Sequence, residues 1–276
     1  MYQIELDRQG QRSVLESLGS PKVYLDNWAL YRLVENVTEK QIFVEHMNRT
    51  NGTLRVSLIN IAELYKRKDK DQIDLVLQLF DLVDTSVING LFEEVVEKEN
   101  LFLSGQPSGN PSSDIDTVIL YLMAQDYPSS FNLSNVFRDT LTQHKAQRMH
   151  TAWEALANKL KVSFAESREK YSKDKIKSKV KNLRDQGPLY ETATRELAEH
   201  AFWYILLQKD MKLRANDYLD LHHMIVPTAY CDHVLIDSRW VEFLKQTQLS
   251  APTIARYYSE ATFEIFLDNL MAHDEV

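Results

Sequence analysis

Two short apolar runs dominate what this chain can fold into. Val23-Tyr24-Leu25 ends at Asp26, and Val234-Leu235-Ile236 ends at Asp237. Each run passes directly into a segment with helical spacing. After the first come Trp28, Leu30, Tyr31, Leu33 and Val34; after the second comes RWVEFLKQ. A strand that turns sharply into a helix, and does so repeatedly, implies βαβ units and a parallel sheet. Residues 39–49 read as a helix that stops at Asn51-Gly52. Leu54, Val56 and Leu58 alternate with Arg55 and Ser57, predicting a second strand that continues to Ile59. IAELYKRK and residues 71–83 read as helices, and SVIN at 86–89 as a third strand.

The pattern changes after GQPSGNPSSD at 105–114, a loop rich in Gly, Pro and Ser. From about 114 to 209 nearly every segment has a helical period. The α/β pattern returns with NDYLDLHHMIV, a strand within YCDHVLID, and TFEIFLDNLMAH as a closing helix. Only 7 Gly and 7 Pro in 276 residues fit a largely helical chain. The expected fold class is therefore α/β: a parallel sheet flanked by helices, with a large all-helical insertion. The sheet domain is expected to be discontinuous, over 18–104 and 210–276, with the insertion at 105–209.

Charge narrows the function. The net charge is −8, which argues against attachment to nucleic acid by bulk positive charge but not against an enzyme with a local basic groove. Residues 168–185 hold eight basic residues (Arg168, Lys170, Lys173, Lys175, Lys177, Lys179, Lys181, Arg184) against three acidic ones. That run reads as a solvated helix face or as a set of phosphate contacts. Lys66, Arg67 and Lys68 form a smaller basic patch just after Glu63, placed to hold a nucleic-acid backbone. The single cysteine, Cys231, excludes an internal disulfide and a cysteine-based zinc site. No run reaches the roughly 20 apolar residues of a membrane span, and the N-terminus lacks a secretory pattern. The expected location is cytoplasmic.

Four acidic residues fall where an α/β sheet gathers ligands. Asp26 and Asp237 end strands, Glu63 follows the second strand by six residues from Ser57, and Asp220 lies near a helix start. Carboxylates gathered at one sheet edge repel each other, and divalent cations make such a cluster tolerable. Oxygen ligands suit Mg²⁺ or Mn²⁺, and a pair of such ions can hydrolyse a phosphodiester. Asp217 competes with Asp220, because residues three apart share a helix face. His222 and His223 adjoin Asp220. Adjacent helical residues diverge by about 100°, so both cannot face one ion, and packing or a hydrogen bond to a carboxylate is the reading preferred for each. No GxGxxG, P-loop or GxSxG pattern occurs.

In VYLDNWAL, VSLINIAEL and NDYLDLHHMIVPTAYCDHVLIDSRW, the chain resembles the PIN-domain nucleases, a family that includes the VapC-type toxins of toxin–antitoxin pairs. The 37-residue step from Asp26 to Glu63, the 17-residue step from Asp220 to Asp237, and Trp240 three places later carry the likeness. It covers roughly residues 20–90 and 213–270. The resemblance implies a PIN-like sheet and a Mg²⁺- or Mn²⁺-dependent nuclease, most simply an endoribonuclease acting through metal-activated water. Asp26, Glu63, Asp220 and Asp237 would be the catalytic metal ligands. Asn27, Ser57 and Asp217 would support them from behind. RNA or DNA would be the substrate, an antitoxin-like or other protein a partner, and a homo-oligomer an open assembly. The alternative is a catalytically inactive PIN-like module that recruits a protein partner, motivated by Trp28 two residues after the first aspartate and by the shortened last strand.

Overall fold

The computed structural model describes residues 2–6, 12–66, 69–106, 110–114, 133–140, 143–186, 192–208, 215–247 and 254–272. Seven strands are present among them. An antiparallel hairpin comes first, β1 (Tyr2–Leu6) with β2 (Arg12–Glu16). The other five, β3 (Lys22–Leu25), β4 (Thr53–Ser57), β5 (Thr85–Ile88), β6 (His233–Leu235) and β7 (Arg256–Tyr258), form one parallel sheet. Their spatial order is β5-β4-β3-β6-β7. The chain thus builds outward from β3 to β5, then returns and builds outward on the other side. The strand order reverses between β3 and β6, and ligands of open α/β sheets bind at the carboxyl ends of such a pair.

Helices cover both faces. On one lie α1 (Asn27–Glu35), α2 (Val37–Thr50), α4 (Lys70–Leu82) and the last helix, α12 (Phe263–Met271). Leu30, Leu33, Phe43, Val76, Leu77, Phe263 and Phe266 meet Val23, Leu25, Leu54, Val56 and Val87 in this core. Between these elements α3 (Leu58–Lys66) follows β4 without a linking residue. The opposite face carries α5 (Phe92–Leu103), α9 (Ala193–Leu207), α10 (Ala215–Tyr230) and α11 (Ser238–Thr247). The helices α6 (Leu133–Thr140), α7 (Gln143–Lys170) and α8 (Lys173–Gln186) fill most of the remainder of the described helical segment. Ala157, Phe164, Ile176 and Leu183 from α7 and α8 share a core with Tyr24, Val234 and Ile236 of the sheet.

Several local signals act as read. Asn36 caps α2 by accepting from Thr38 N and Glu39 N, and Asn51 ends that helix in the left-handed region at φ 55°. Other expectations need correction. The second strand stops at Ser57, and Leu58 and Ile59 already belong to α3. All five residues of β4 are buried, although its sequence alternates apolar and polar positions. A parallel strand at this position is covered on both sides. Arg55 is accordingly inside at 1% exposure, where Glu16 of the hairpin, Ser86 Oγ and the Ser112 carbonyl receive its guanidinium. The β1–β2 hairpin and β7 have no counterpart in the sequence reading. Residues 115–132, read as helical, lie outside the described residues.

Candidate metal centre

The site is built at the carboxyl edge of the sheet. Asp26 follows β3, and its backbone N–H donates to Leu235 O of β6 at 2.9 Å, fixing it at the reversal of strand order. Its carboxylate caps α1 by accepting from Asn27 N at 2.6 Å. Capping and membership of the acidic cluster are thus not rival roles here. Asn27 begins α1 and is buried. Its Nδ2 donates to Glu63 Oε2 at 2.7 Å, holding the α3 carboxylate beside Asp26.

Helix α10 brings the next two groups. Asp220 and His223 are one turn apart, so they share a face. A ring nitrogen of His223 and carboxylate oxygens of Asp26 and Glu63 all lie within 4.8 Å of one another. His223 thus stands beside two carboxylates, adding a nitrogen donor next to the oxygen ligands expected from the sequence. His222 does pack: it stacks on Phe92 with ring centroids 4.9 Å apart and lies 6.2 Å from Trp153. The divergence of adjacent helical residues sends one histidine to the acids and the other to the core. The spacing Asp220-x-x-His223 is the signal that puts His223, and not His222, on the helix face of Asp220.

Asp220 and Asp237 are not part of that tight triad, but their charges reach it. Burial, then repulsion from Asp26, Glu63, Asp237 and Asp217, pushes the Asp220 carboxyl up to about 8. Asp26 is raised first by burial, with Glu63 and Asp237 adding to the effect, while His223 and the Asn27 N–H oppose it. Asp237 also caps α11, accepting from Arg239 N at 2.8 Å. Asp217 is buried and ion-paired to Arg239, whose side chain is also within the field of Asp237 and Asp220.

Ser57 stands behind the cluster. Its Oγ donates to Asn60 Oδ1 at 2.9 Å and meets Tyr24 Oη at 3.3 Å. Tyr24 Oη in turn bonds His223 Nδ1. The phenol is held neutral, its pKa raised by complete burial and by Asp26.

The donor set fits a cation. Asn27 Oδ1 and His223 Nε2 are buried without a hydrogen-bond partner among the described residues. Asn27 has already spent its amide on Glu63. Carboxylates and an amide oxygen without a donor are what a divalent ion satisfies, whereas unpaired they would carry a desolvation cost.

Of the basic residues singled out in the sequence, Lys66 is exposed at the end of α3, while Arg67 and Lys68 lie outside the described residues. Lys173, Lys175, Lys177, Lys179 and Lys181 of α8 are exposed. Arg168 instead caps α9, donating to Ile205 O at 2.7 Å and Gln208 O at 3.0 Å. A cavity of about 390 Å³ adjoins Asp237, lined by Trp28, Ile236, Ser238, Ser259 and Glu260. Cys231 is buried, its thiol pushed up to about 12, and is chemically quiet. No helix of the described residues is long and apolar enough to cross a membrane. No protein family, curated protein or solved structure matches the chain.

Proposed function

We propose that the protein is a divalent-metal-dependent phosphodiesterase of PIN-like type, acting as an endoribonuclease on single-stranded RNA. One observation carries the reading: carboxylate oxygens of Asp26 and Glu63 and a ring nitrogen of His223 lie within 4.8 Å of one another, and the charges of Asp26, Glu63 and Asp237 help push the Asp220 carboxyl up, so separate stretches of chain converge on one place. That place is the carboxyl edge of a parallel sheet, where its strand order reverses.

Asp26, Glu63, Asp220 and Asp237 would hold one or two Mg²⁺ or Mn²⁺ ions. When bound, such an ion supplies Lewis-acid chemistry: it screens the carboxylates and a phosphodiester and lowers the pKa of water. The chain's own groups do the positioning. Asn27 fixes Glu63 by its 2.7 Å bond, and Asp26 is fixed by the first turn of α1. Ser57 sets the orientation of Tyr24, and Arg239 pairs with Asp217. The exposed lysines of α8 and Lys66 offer positive charge for RNA phosphates on a chain that is acidic overall.

The test is cleavage of single-stranded RNA with Mn²⁺ present or chelated. Asp26→Asn is expected to abolish it while the protein stays folded; undiminished cleavage by that variant contradicts the assignment. A second reading, a PIN-like module that recruits a protein partner without catalysis, draws on the same raised Asp220. A proton on that carboxyl relieves the repulsion without any ion. A wild-type protein that cleaves neither RNA nor DNA at millimolar Mn²⁺ favours this second reading.

A further inference from the structure

Resting on the cation reading above, we infer that His223 is a nitrogen ligand and that the centre is built for a transition ion such as Mn²⁺ in preference to Mg²⁺. The inference comes from the direction of a hydrogen-bond chain. Asn60 Oδ1 accepts from the Ser57 backbone N–H at 2.9 Å, which identifies that atom as the amide oxygen. Ser57 Oγ lies 2.9 Å from the same oxygen and must donate to it, because an amide oxygen can only accept. The Ser57 hydroxyl proton is then spent. Tyr24 Oη, 3.3 Å from Ser57 Oγ, must therefore supply its own proton to that contact. With its proton spent, Tyr24 Oη can only accept from His223, so Nδ1 carries the ring proton.

A neutral imidazole protonated at Nδ1 has its lone pair at Nε2. That atom is buried without a hydrogen-bond partner among the described residues, on a side chain only 3% exposed. One ring nitrogen of His223 lies within 4.8 Å of the Asp26 and Glu63 oxygens. Asn27 Oδ1 is a further acceptor without a donor. Hydrogen-bonding a ligand histidine through its other nitrogen is how metal centres fix tautomer and ring orientation, and the Asn60–Ser57–Tyr24 chain does that here. Imidazole binds first-row transition ions well, whereas Mg²⁺ prefers an all-oxygen shell that retains water.

The experiment is pulsed electron paramagnetic resonance of Mn²⁺ bound to the full chain, with Mn²⁺ and Mg²⁺ affinities measured for wild type, His223→Gln and Tyr24→Phe. Modulation from a directly bound ring nitrogen is expected in wild type and should vanish in His223→Gln. That variant should lose about tenfold or more in Mn²⁺ affinity and much less in Mg²⁺ affinity. Tyr24→Phe, which keeps the packing and cuts the chain, should weaken Mn²⁺ binding in the same sense. Bound Mn²⁺ without nitrogen modulation, or an unchanged Mn²⁺/Mg²⁺ ratio in His223→Gln, removes the nitrogen ligand and leaves the carboxylate centre standing. Absence of Mn²⁺ binding by wild type at millimolar concentration removes both. The nitrogen signal is read on wild type, so an unfolded variant does not blunt the test.

Discussion

Asn27 donates from Nδ2 to Glu63 Oε2 at 2.7 Å, tying the first residue of α1 to the middle of α3 across 36 positions of sequence. The same residue's backbone N–H holds Asp26, so one asparagine aligns both carboxylates of the triad. Asn27→Ala removes the Glu63 tether and keeps the Asp26 cap. Its expected effect is a loss of about 10- to 100-fold in Mn²⁺ affinity or in the proposed cleavage, with an unchanged circular dichroism spectrum. Full retention of Mn²⁺ affinity would show that Glu63 is held by something else.

Asp220 makes the stability of the metal-free protein depend on pH. Its carboxyl titrates near 8 when folded, against an ordinary value of 3.8, so the folded state binds the extra proton between those limits. The associated stability is complete below about pH 4 and is lost as pH rises through 8. His222 is pushed down to about 4 by burial and acts with the opposite sign, but only below its ordinary value of 6.5. Thermal melts in chelator between pH 6.5 and 8.5 therefore read the acidic cluster, Asp220 with the likewise raised Asp26, without His222. The melting temperature should fall across that window, Asp220→Asn should flatten the slope, and added Mn²⁺ should restore stability at the alkaline end. Parallel profiles for wild type and Asp220→Asn would contradict the cluster.

The hairpin has a stability role that can be measured apart from the site. Glu16 Oε1 accepts from Arg55 Nη1 at 3.1 Å, and Tyr2 Oη accepts from Val87 N at 2.9 Å, so the N-terminal strands are tied to the middle of the sheet. Glu16→Ala leaves a fully buried guanidinium without its counter-ion. The expected destabilisation is about 3–5 kcal/mol in chemical denaturation. A change below about 1 kcal/mol would mean that Ser86 and Ser112 alone satisfy Arg55.

Much of the sheet was legible because its strands are short apolar runs punctuated by aspartate and helical spacing, as around Asp26 and Asp237. What failed has physical causes. Arg55 sits in an alternating run, yet a strand with helices on both faces has no wet side, so alternation misstates its burial. β7 is a three-residue edge strand, too short to show a period. In the site, Asp26 and Glu63 were visible as strand-end and post-strand acids. His222 and His223 take one reading from the sequence, packing or a hydrogen bond to a carboxylate, because they are adjacent. Adjacency decides only that the two cannot share a target; the three-residue step from Asp220 decides which of them faces the acids.

The claim on which the rest stands is that Asp26 and Glu63 form one cation-binding centre. Isothermal titration of the metal-free chain with Mn²⁺ at pH 7.5 tests it most directly. The account predicts saturable binding by wild type that is lost in Asp26→Asn and in Glu63→Gln, both folded by circular dichroism. Equal Mn²⁺ binding by wild type and both variants, or none by wild type at millimolar Mn²⁺, would contradict it.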